Sequence, residues 1–323
     1  GICSLFMEIA KMIDEHIVQY IQKIVGKDNV KLSEPMKNHT TLRIGGPVDC
    51  FVTPTDLGQI PQLIQALKMF EIDYYVIGNG SNLLVSDDGF QGVIIQLYNR
   101  YSNYSSCPFY DRKTVQFKAL SGVSMVKLAA EAAKESCTGF EFASGIPGSL
   151  GGGVCMNAGA YGSELKDVIV SATVCDRDGT LMELSKEELE LGYRKSVIQE
   201  KDYIVLEVVI ELKKDDPKVI KEKMESLAAL RKEKQPLEYP SAASTFKRPQ
   251  GFYAGKLISD AGLKGFAVGG VKVSEKHAGF VVNTGMATAQ DFIKLTDEVA
   301  RIVQEQTGIK LELEVKKLGF VDG

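Results

Sequence analysis

Apolar residues recur along the chain with two different periods, and the changes from one to the other divide it into three mixed units. Ile9, Ile13, Ile17, Ile21 and Ile24 fall at helical spacing with Gly26 behind them, so the pattern predicts an amphipathic helix from Met7 to Val25. After a polar stretch, Val48 to Val52 reads as a strand, Thr55 as the cap of a helix running to about Phe70, and Tyr74 to Ile77 and Val93 to Leu97 as two more strands. Asn99 to Asp111 carries Tyr101, Asn103, Tyr104 and Pro108 without a period and reads as a connector. In the second unit Val115 to Leu120 predicts a strand and Val123 to about Glu135 a helix. Val168 to Cys175 predicts a strand ending in the Asp176-Arg177-Asp178-Gly179 turn, and Tyr203 to Leu212 a long strand. Asp215, Asp216 and Pro217 open a highly charged helix through Lys234, stopped by Pro236, whose charge run reads as a solvated face. The third unit then predicts a helix near Gly255 to Ala261, a glycine-rich turn at 262 to 270, a strand at Ala278 to Asn283, a helix from Thr288 to Gln306 and a strand at Leu311 to Lys316. No period of about 20 to 50 residues repeats, which argues against a solenoid.

Composition narrows the function classes. The 323 residues are roughly twice a single domain of ~150 residues, so two or three domains are expected, with ample chain for buried cores. With 44% hydrophobic and 25% charged residues, interleaved throughout, the chain has the composition of a globular protein and not of a disordered one. The 38 basic against 42 acidic residues leave a net charge of −4 and a pI near 5.6, which argues against nucleic acid held on a basic face and leaves small anionic ligands open. The longest apolar run, Tyr203 to Leu212, is broken by Glu207 and falls short of the ~20 residues of a membrane span, so no membrane insertion is expected. Cys3, Cys50, Cys107, Cys137, Cys155 and Cys175 lie in separate segments without a CxxC or a nearby His, so neither a metal site nor a disulfide framework is predicted, and a reducing cytoplasm is. The chain opens at Gly1 instead of Met, and Gly1 to Phe6 reads as a remnant or a leader fragment with no part in the fold.

Candidate chemistry gathers in a few segments. Gly78-Asn79-Gly80-Ser81-Asn82 stands directly behind a predicted strand. Its two glycines let successive N–H groups converge into an anion-binding nest, with Ser81 and Asn82 adding side-chain donors; a polar turn is the other reading. It is no Rossmann fingerprint, because the third glycine is missing. Gly145-Ile146-Pro147-Gly148-Ser149-Leu150-Gly151-Gly152-Gly153 holds five glycines in nine residues, a large entropy cost inside a folded unit, so something requires that bare backbone. Asn157-Ala158-Gly159-Ala160-Tyr161-Gly162 follows at once, and two glycine-rich passages from different units are suited to clamp one extended diphosphate; loop flexibility alone is the alternative. No Walker lysine and Ser/Thr pair closes either passage, which disfavours ATP hydrolysis. Tyr193-Arg194-Lys195-Ser196, Ser241-Ala242-Ala243-Ser244-Thr245-Phe246 and Leu311-Glu312-Leu313-Glu314-Val315 each set a reactive group among small or apolar residues. In the last, strand alternation puts Glu312 and Glu314 on one face and Leu311, Leu313 and Val315 on the other. Taken singly, Arg194 reads equally as a surface cation, Ser244 as a turn hydroxyl and Glu314 as the outer face of an edge strand.

Together these residues resemble the UDP-N-acetylenolpyruvoylglucosamine reductase family of flavoenzymes. The resemblance runs from Asn38-His39-Thr40-Thr41-Leu42-Arg43-Ile44-Gly45-Gly46 to Lys316-Lys317-Leu318-Gly319, and separate motifs agree in order: 78 to 82, 145 to 153 with 157 to 162, 193 to 196, 241 to 246, 276 to 283 and 311 to 315. It implies an α+β fold of two FAD-binding subdomains of the p-cresol methylhydroxylase type plus a C-terminal α+β substrate domain. The corresponding segments are 1–37 with the amphipathic helix, 38–98 and 99–216 as the FAD-binding subdomains, and 217–323 as the substrate domain. FAD is implied at Gly78, Asn79, Gly80, Ser81, Asn82, Gly145, Ile146, Gly148, Ser149, Gly152, Asn157, Ala158 and Gly159, and noncovalently, since the glycine-rich loops contain only Cys155 as a point of attachment. In the family NADPH reduces the flavin and leaves, and UDP-N-acetylglucosamine enolpyruvate enters the same cleft. Hydride then passes from flavin N5 to the terminal vinyl carbon, and the enolate-like centre is protonated to give UDP-N-acetylmuramate for peptidoglycan.

The resemblance also assigns roles. Arg194 is the forked, permanent cation for charge developing on the substrate carboxylate, Ser244 the proton donor, and Glu314 the stabiliser of the enolic intermediate, protonated or paired with a cation. Tyr193, Lys256, His277 and Asn283 are implied as contacts to the nucleotide or its diphosphate, although a satisfied structural role for His277 and a surface ammonium for Lys256 stay open. Where the commoner motif has Gly before the proton-donating serine this chain has Ala243, which reduces the room beside Ser244. One form of the family folds a tyrosine-bearing loop over the substrate between the catalytic Arg and Ser. Here that interval holds one strand, one charged helix and a short turn, so the form lacking the lid is expected, as a cytoplasmic monomer. Two other readings compete: an oxidase of the same fold using dioxygen, which has no reason for Arg194, Ser244 and Glu314 together, and a non-enzymatic nucleotide-binding module, which predicts no turnover.

Overall fold

The computed structural model describes residues 13–109, 111 and 113–321. Asp14 accepts a hydrogen bond from Ile17 N at 2.9 Å and opens α1 (Glu15–Val25), which buries Ile17, Ile21 and Val25. The helix thus starts later than the isoleucine spacing suggests, and residues 7–12 of the expected helix lie outside the described residues. β1 (Val30–Pro35), β2 (Pro47–Val52), α2 (Gln59–Met69), β3 (Tyr74–Ile77), β4 (Leu83–Val85) and β5 (Phe90–Gln96) follow. The first sheet runs β1-β2-β5-β3, with β2 and β3 both parallel to β5. β1 was hidden in the polar stretch because none of its residues is fully buried. Thr55 is not the cap of α2: Asp56 Oδ1 accepts from Gln59 N at 3.2 Å, and Thr55 N donates to the Gln59 side chain at 2.8 Å.

The segment read as a connector contains β6 (Tyr104–Pro108), an exposed edge strand on β7 (Thr114–Leu120). Ser124 caps α3 (Met125–Lys134), β8 (Cys137–Thr138) follows, and Ser149 caps α4 (Leu150–Met156), a helix inside the passage read as a glycine-rich loop. After the small hairpin β9 (Gly159–Ala160) and β10 (Ser163–Glu164) come β11 (Ile169–Cys175), β12 (Leu181–Ser185), α5 (Val197–Lys201) and β13 (Ile204–Lys214). The second sheet runs β12-β11-β13-β7-β6 with β8 added to β13, and α3 and α4 share its core through Met125, Leu128, Leu150 and Val154.

α6 (Pro217–Lys234) matches its predicted bounds, started by Asp216 and Pro217. β14 (Ser241–Ser244), α7 (Ala254–Asp260), β15 (Ala267–Val268), β16 (Val271–Val273), β17 (Phe280–Asn283), α8 (Ala289–Thr307) and β18 (Lys316–Leu318) complete the chain, and the third sheet runs β14-β17-β16-β15. α8 buries Phe292, Leu295, Val299 and Val303 on one face, each contributing about 1.5–3 kcal/mol by removal from water. The expected strand at 311–316 is extended but almost unpaired: Leu313 makes a single bridge with Phe246, and ladder pairing begins only at Lys316. Its alternation survives only in part: Leu311 and Val315 are buried and Glu312 is exposed, but Leu313 and Glu314 are both half-buried.

Three contacts stitch the last unit to the first. β18 pairs in parallel with β4. The Asp87 carboxylate accepts from Ala289 N at 2.8 Å and Gln290 N at 3.1 Å, closing the N-terminus of α8. Leu42, Ile44 and Leu84 pack into the core that α8 and the third sheet enclose.

Candidate active site

A cavity of about 1770 Å³ runs between the sheets, lined by both glycine-rich passages, by Tyr75, Arg177 and Tyr203, and by Met224, Leu227 and Arg231 of α6. Every charged residue of α6 except the half-buried Arg231 is exposed, so its charge run is the solvated face that the sequence suggests. A second cavity of about 580 Å³ adjoins it. Both are lined by Arg194, Ser244, Glu314, Lys276 and His277, so the three residues drawn from distant segments meet where the cavities join.

The 78–82 loop and the 145–153 passage face the large cavity together, tied by Ser81 Oγ donating to Pro147 O at 3.4 Å. Gly80 has φ +65° and passes so close to the chain at His39 that a Cβ would stand 2.2 Å from the His39 carbonyl oxygen. Among the described residues no protein acceptor takes the N–H groups of Asn79, Gly80, Ser81 or Asn82, which leaves them for a ligand. In the other passage the N–H groups of Leu150, Gly151 and Gly152 are already bonded, to Val123 O, Ser121 O and Ser149 Oγ. Three of its glycines answer to close packing, since a Cβ on Gly145, Gly151 or Gly153 would stand 2.8–2.9 Å from Arg231, Ser121 or Leu165; Gly148 is set by its φ of +123°, and a Cβ on Gly152 would meet nothing closer than 3.4 Å.

Arg194 sits in the left-handed region at φ +51°, on a tight turn in which Gly192 and Lys195 exchange backbone hydrogen bonds of 3.0 and 3.2 Å. The turn is fastened to the end of α4 by Asn157 Nδ2 donating to Gly192 O at 3.0 Å and Ser196 Oγ donating to Cys155 O at 2.5 Å. Ser244 ends β14 behind an irregularity in its pairing with β17, where Ala243 takes φ +57°. Its hydroxyl is exposed and has no hydrogen-bond partner among the described residues. Glu314 is held from both sides, its N–H donating to Thr245 O at 2.9 Å and its carbonyl accepting from Asn82 Nδ2 at 3.2 Å.

The Glu314 carboxylate lies 3.6 Å from Arg194 Nε with only 15% of its side chain exposed. Burial pushes its pKa above the ordinary carboxylate value, against the pull of Arg194 and then Lys247. His277 Nδ1 accepts from Gly279 N at 3.0 Å, so in the neutral ring Nε2 carries the proton, and burial holds the pKa of the ring below its usual value. The smaller cavity is cationic: Arg194, Lys234, Arg248, Lys256, Lys264 and Lys276 line it against Glu233 and Glu314.

Most of the residues read from sequence line these cavities, and two do not. Asn157 is buried with its carboxamide occupied by Gly192 O and Lys166 N, and Asn283 is buried with its own donating to Leu42 O and accepting from Gly285 N. Each is a clamp between segments. Asn82 lines the large cavity, but its Nδ2 is committed to Glu314 O. Tyr193 and Lys256 line the smaller cavity, Lys256 paired with Asp260 at 2.7 Å. Sequence reasoning missed Arg231 and the cations Lys234, Arg248 and Lys264, which come from separate segments and carry no local signal.

Residues 48–185 match an FAD binding domain, and residues 235–318 match the C-terminal domain of UDP-N-acetylenolpyruvoylglucosamine reductase. A reductase of that name from Lachnoclostridium phytofermentans is 48% identical over 303 residues, 94% of this chain and 97% of the relative. Another, from Caldanaerobacter subterraneus subsp. tengcongensis, is 46% identical over 305 residues, 94% of this chain and 99% of the relative. The crystal structure of UDP-N-acetylenolpyruvylglucosamine reductase from Thermus caldophilus superposes with a TM-score of 0.73 at 34% identity, covering 90% of this chain and 98% of that one.

Proposed function

The chain belongs to the UDP-N-acetylenolpyruvoylglucosamine reductase family, and on that footing we propose that Arg194, Ser244 and Glu314 carry out the protein's part in the reduction. The enzyme is an FAD-dependent oxidoreductase of peptidoglycan-precursor synthesis that converts UDP-N-acetylglucosamine enolpyruvate to UDP-N-acetylmuramate. The observation that carries the reading is the meeting of these three side chains at the junction of a large, glycine-lined cavity and a smaller cationic one.

The large cavity fits FAD: the free N–H groups of residues 79–82 form a cradle for its diphosphate, and the backbone of Gly145 to Gly159 lines the wall beside it. Bound FAD, reduced by NADPH, supplies the hydride. The chain's own residues handle charge and proton. Arg194 fixes the substrate carboxylate and neutralises the negative charge that develops on it. Glu314 stands beside that carboxylate, its own carboxyl 3.6 Å from Arg194 Nε and its pKa raised by burial, and with this paired cation it stabilises the enolic intermediate instead of repelling it. Ser244, whose hydroxyl is otherwise unbonded, delivers a proton to the carbon beside the carboxylate. The cations of the smaller cavity suit the diphosphate of a nucleotide sugar, with the His277 Nε2 proton and Tyr193 as further polar contacts.

The segments 38–98 and 99–216 act as FAD-binding subdomains, with 1–37 contributing α1 and the edge strand β1 to the first; the substrate domain expected at 217–323 begins after α6, which packs on α3 and β8 of the second unit, and the C-terminal family match starts at 235. Between Arg194 and Ser244 the chain forms α5, β13, α6 and β14 with short links, which supports the form without a tyrosine lid. Among the described residues no helix is long and apolar enough to cross a membrane; we read the enzyme as a cytoplasmic monomer, which sedimentation of the purified protein tests. For the chemistry the test is Ser244→Ala. Flavin reduction by NADPH is expected to stay near normal while reoxidation by the enolpyruvyl substrate slows by about 10²–10⁴-fold. Equal loss in both half-reactions removes Ser244 from the proton-donating role.

A further inference from the structure

We propose that Ser121, which no motif singled out, is a hydrogen-bonding residue for the FAD of this site. The inference rests on the flavin reading above and adds to it a residue outside both glycine-rich passages. Ser121 closes β7 at the start of α3, and its backbone is fully engaged: its N–H donates to Leu206 O at 2.9 Å and its carbonyl accepts from Gly151 N at 2.8 Å. Its side chain is different. Only 2% of the residue is exposed, yet its Oγ has no hydrogen-bond partner, and the residue lines the large cavity.

A buried hydroxyl without a partner is costly, because the water it gave up is not replaced, so such groups persist where something else supplies the bond. One other buried side-chain atom among the described residues lacks a partner, the Tyr101 hydroxyl, and Tyr101 does not line the cavity. What sets Ser121 apart is the combination of an orphaned oxygen and a wall position. Its backbone fixes it there through the bonds to Leu206 and Gly151, and a Cβ on Gly151 would stand 2.8 Å from Ser121 Cβ, so only glycine at 151 leaves room for the serine. A hydroxyl both donates and accepts, so it matches the hydroxyl, phosphate and carbonyl oxygens of a flavin dinucleotide equally well.

The experiment compares unsubstituted protein, Ser121→Ala and Ser121→Cys, each stripped of flavin and titrated with FAD, with the melting temperature of each flavin-free form measured alongside. Ser121→Ala is expected to weaken FAD binding by about 3- to 10-fold. The same change is expected to raise the melting temperature of the flavin-free protein by about 2–4 °C, because it deletes an unsatisfied group. Ser121→Cys, close in shape but a weak hydrogen-bonding group, is expected to fall with Ala in FAD affinity. Unchanged FAD affinity in both variants overturns the assignment while leaving the flavin site intact. A lowered melting temperature of both flavin-free variants also overturns it, since the hydroxyl would then be bonded within the protein. If the unsubstituted protein takes up no FAD, the flavin reading itself falls, and this inference with it.

Discussion

The two glycine-rich passages look alike in composition and are used in different ways. In 78–82 the backbone N–H groups are left over, and Gly80 lets the chain slip past His39 while turning them toward the cavity. In 145–153 most of the corresponding groups are consumed around the start of α4, and Gly145, Gly151 and Gly153 are there because Arg231, Ser121, Leu165 and Met125 leave no room for a side chain. Both passages pack closely, Gly78 against Ser149 and Gly80 against His39 in the first, but only the first keeps a run of unused donors. A glycine's absent side chain either exposes the backbone to a ligand or lets another part of the protein come close, and only the hydrogen-bond ledger distinguishes the two.

The sharpest way to break this contrast is Gly80→Ala. Its Cβ would meet a backbone carbonyl that cannot swing aside, at a φ that side chains disfavour, so a loss of about 2–4 kcal/mol, or about 30- to 1000-fold in FAD affinity, is expected. An alanine that binds FAD normally removes the loop from the cradle. Amide hydrogen exchange probes the contrast without substitution: FAD is expected to slow exchange of the Asn79 to Asn82 amides by about tenfold or more, and to change Gly151 and Gly152 little because these are bonded already. Equal protection of both passages contradicts the division.

Ala243 extends the comparison to a site where the left-handed backbone carries a side chain. At φ +57° it bears a strain that glycine avoids, so Ala243→Gly is expected to stabilise the fold by about 0.5–1 kcal/mol in denaturant melts. A destabilised variant means that the methyl group packs for more than the strain costs. The smallest effect concerns Glu314. Its pKa is raised on folding by burial, so the stability it contributes is complete below the ordinary carboxylate value of 4.5 and is lost as pH rises through the elevated one. Glu314→Gln cannot ionise and is expected to flatten that part of the stability profile, and a wild-type profile that rises there contradicts the shift.

How much of this was readable in the sequence follows from which signals are local. Helices with a buried stripe were plain, and α6 ends where Pro236 and its charge pattern say it should. β1 and β6 left no trace because they are edge strands without an apolar face. The 311–316 segment shows that alternation says nothing about whether a partner strand is within reach, and that a site can draw an outward position such as Glu314 into a half-buried one. In the site, Arg194, Ser244 and Glu314 were found as a set through a resemblance, since each alone looks like an ordinary surface residue. Asn157 and Asn283 misled because a carboxamide suits a backbone clamp as well as a ligand, and nothing in the neighbouring residues tells which. The cationic wall was invisible for the same reason: its members meet only after folding.

The seam between the first and last units has a consequence for modularity. A part that recognises substrate is an attractive unit to exchange between relatives, yet here the boundary in the chain is not the boundary in space. β18 finishes a strand pair begun by β4, and the first turn of α8 is closed by Asp87, more than two hundred positions earlier. A hybrid cut cleanly near residue 217 would orphan both. Inheritance of the substrate part must therefore be joint with the strip from Leu83 to Asp87, and recombination that respects the linear order alone is disfavoured at this seam.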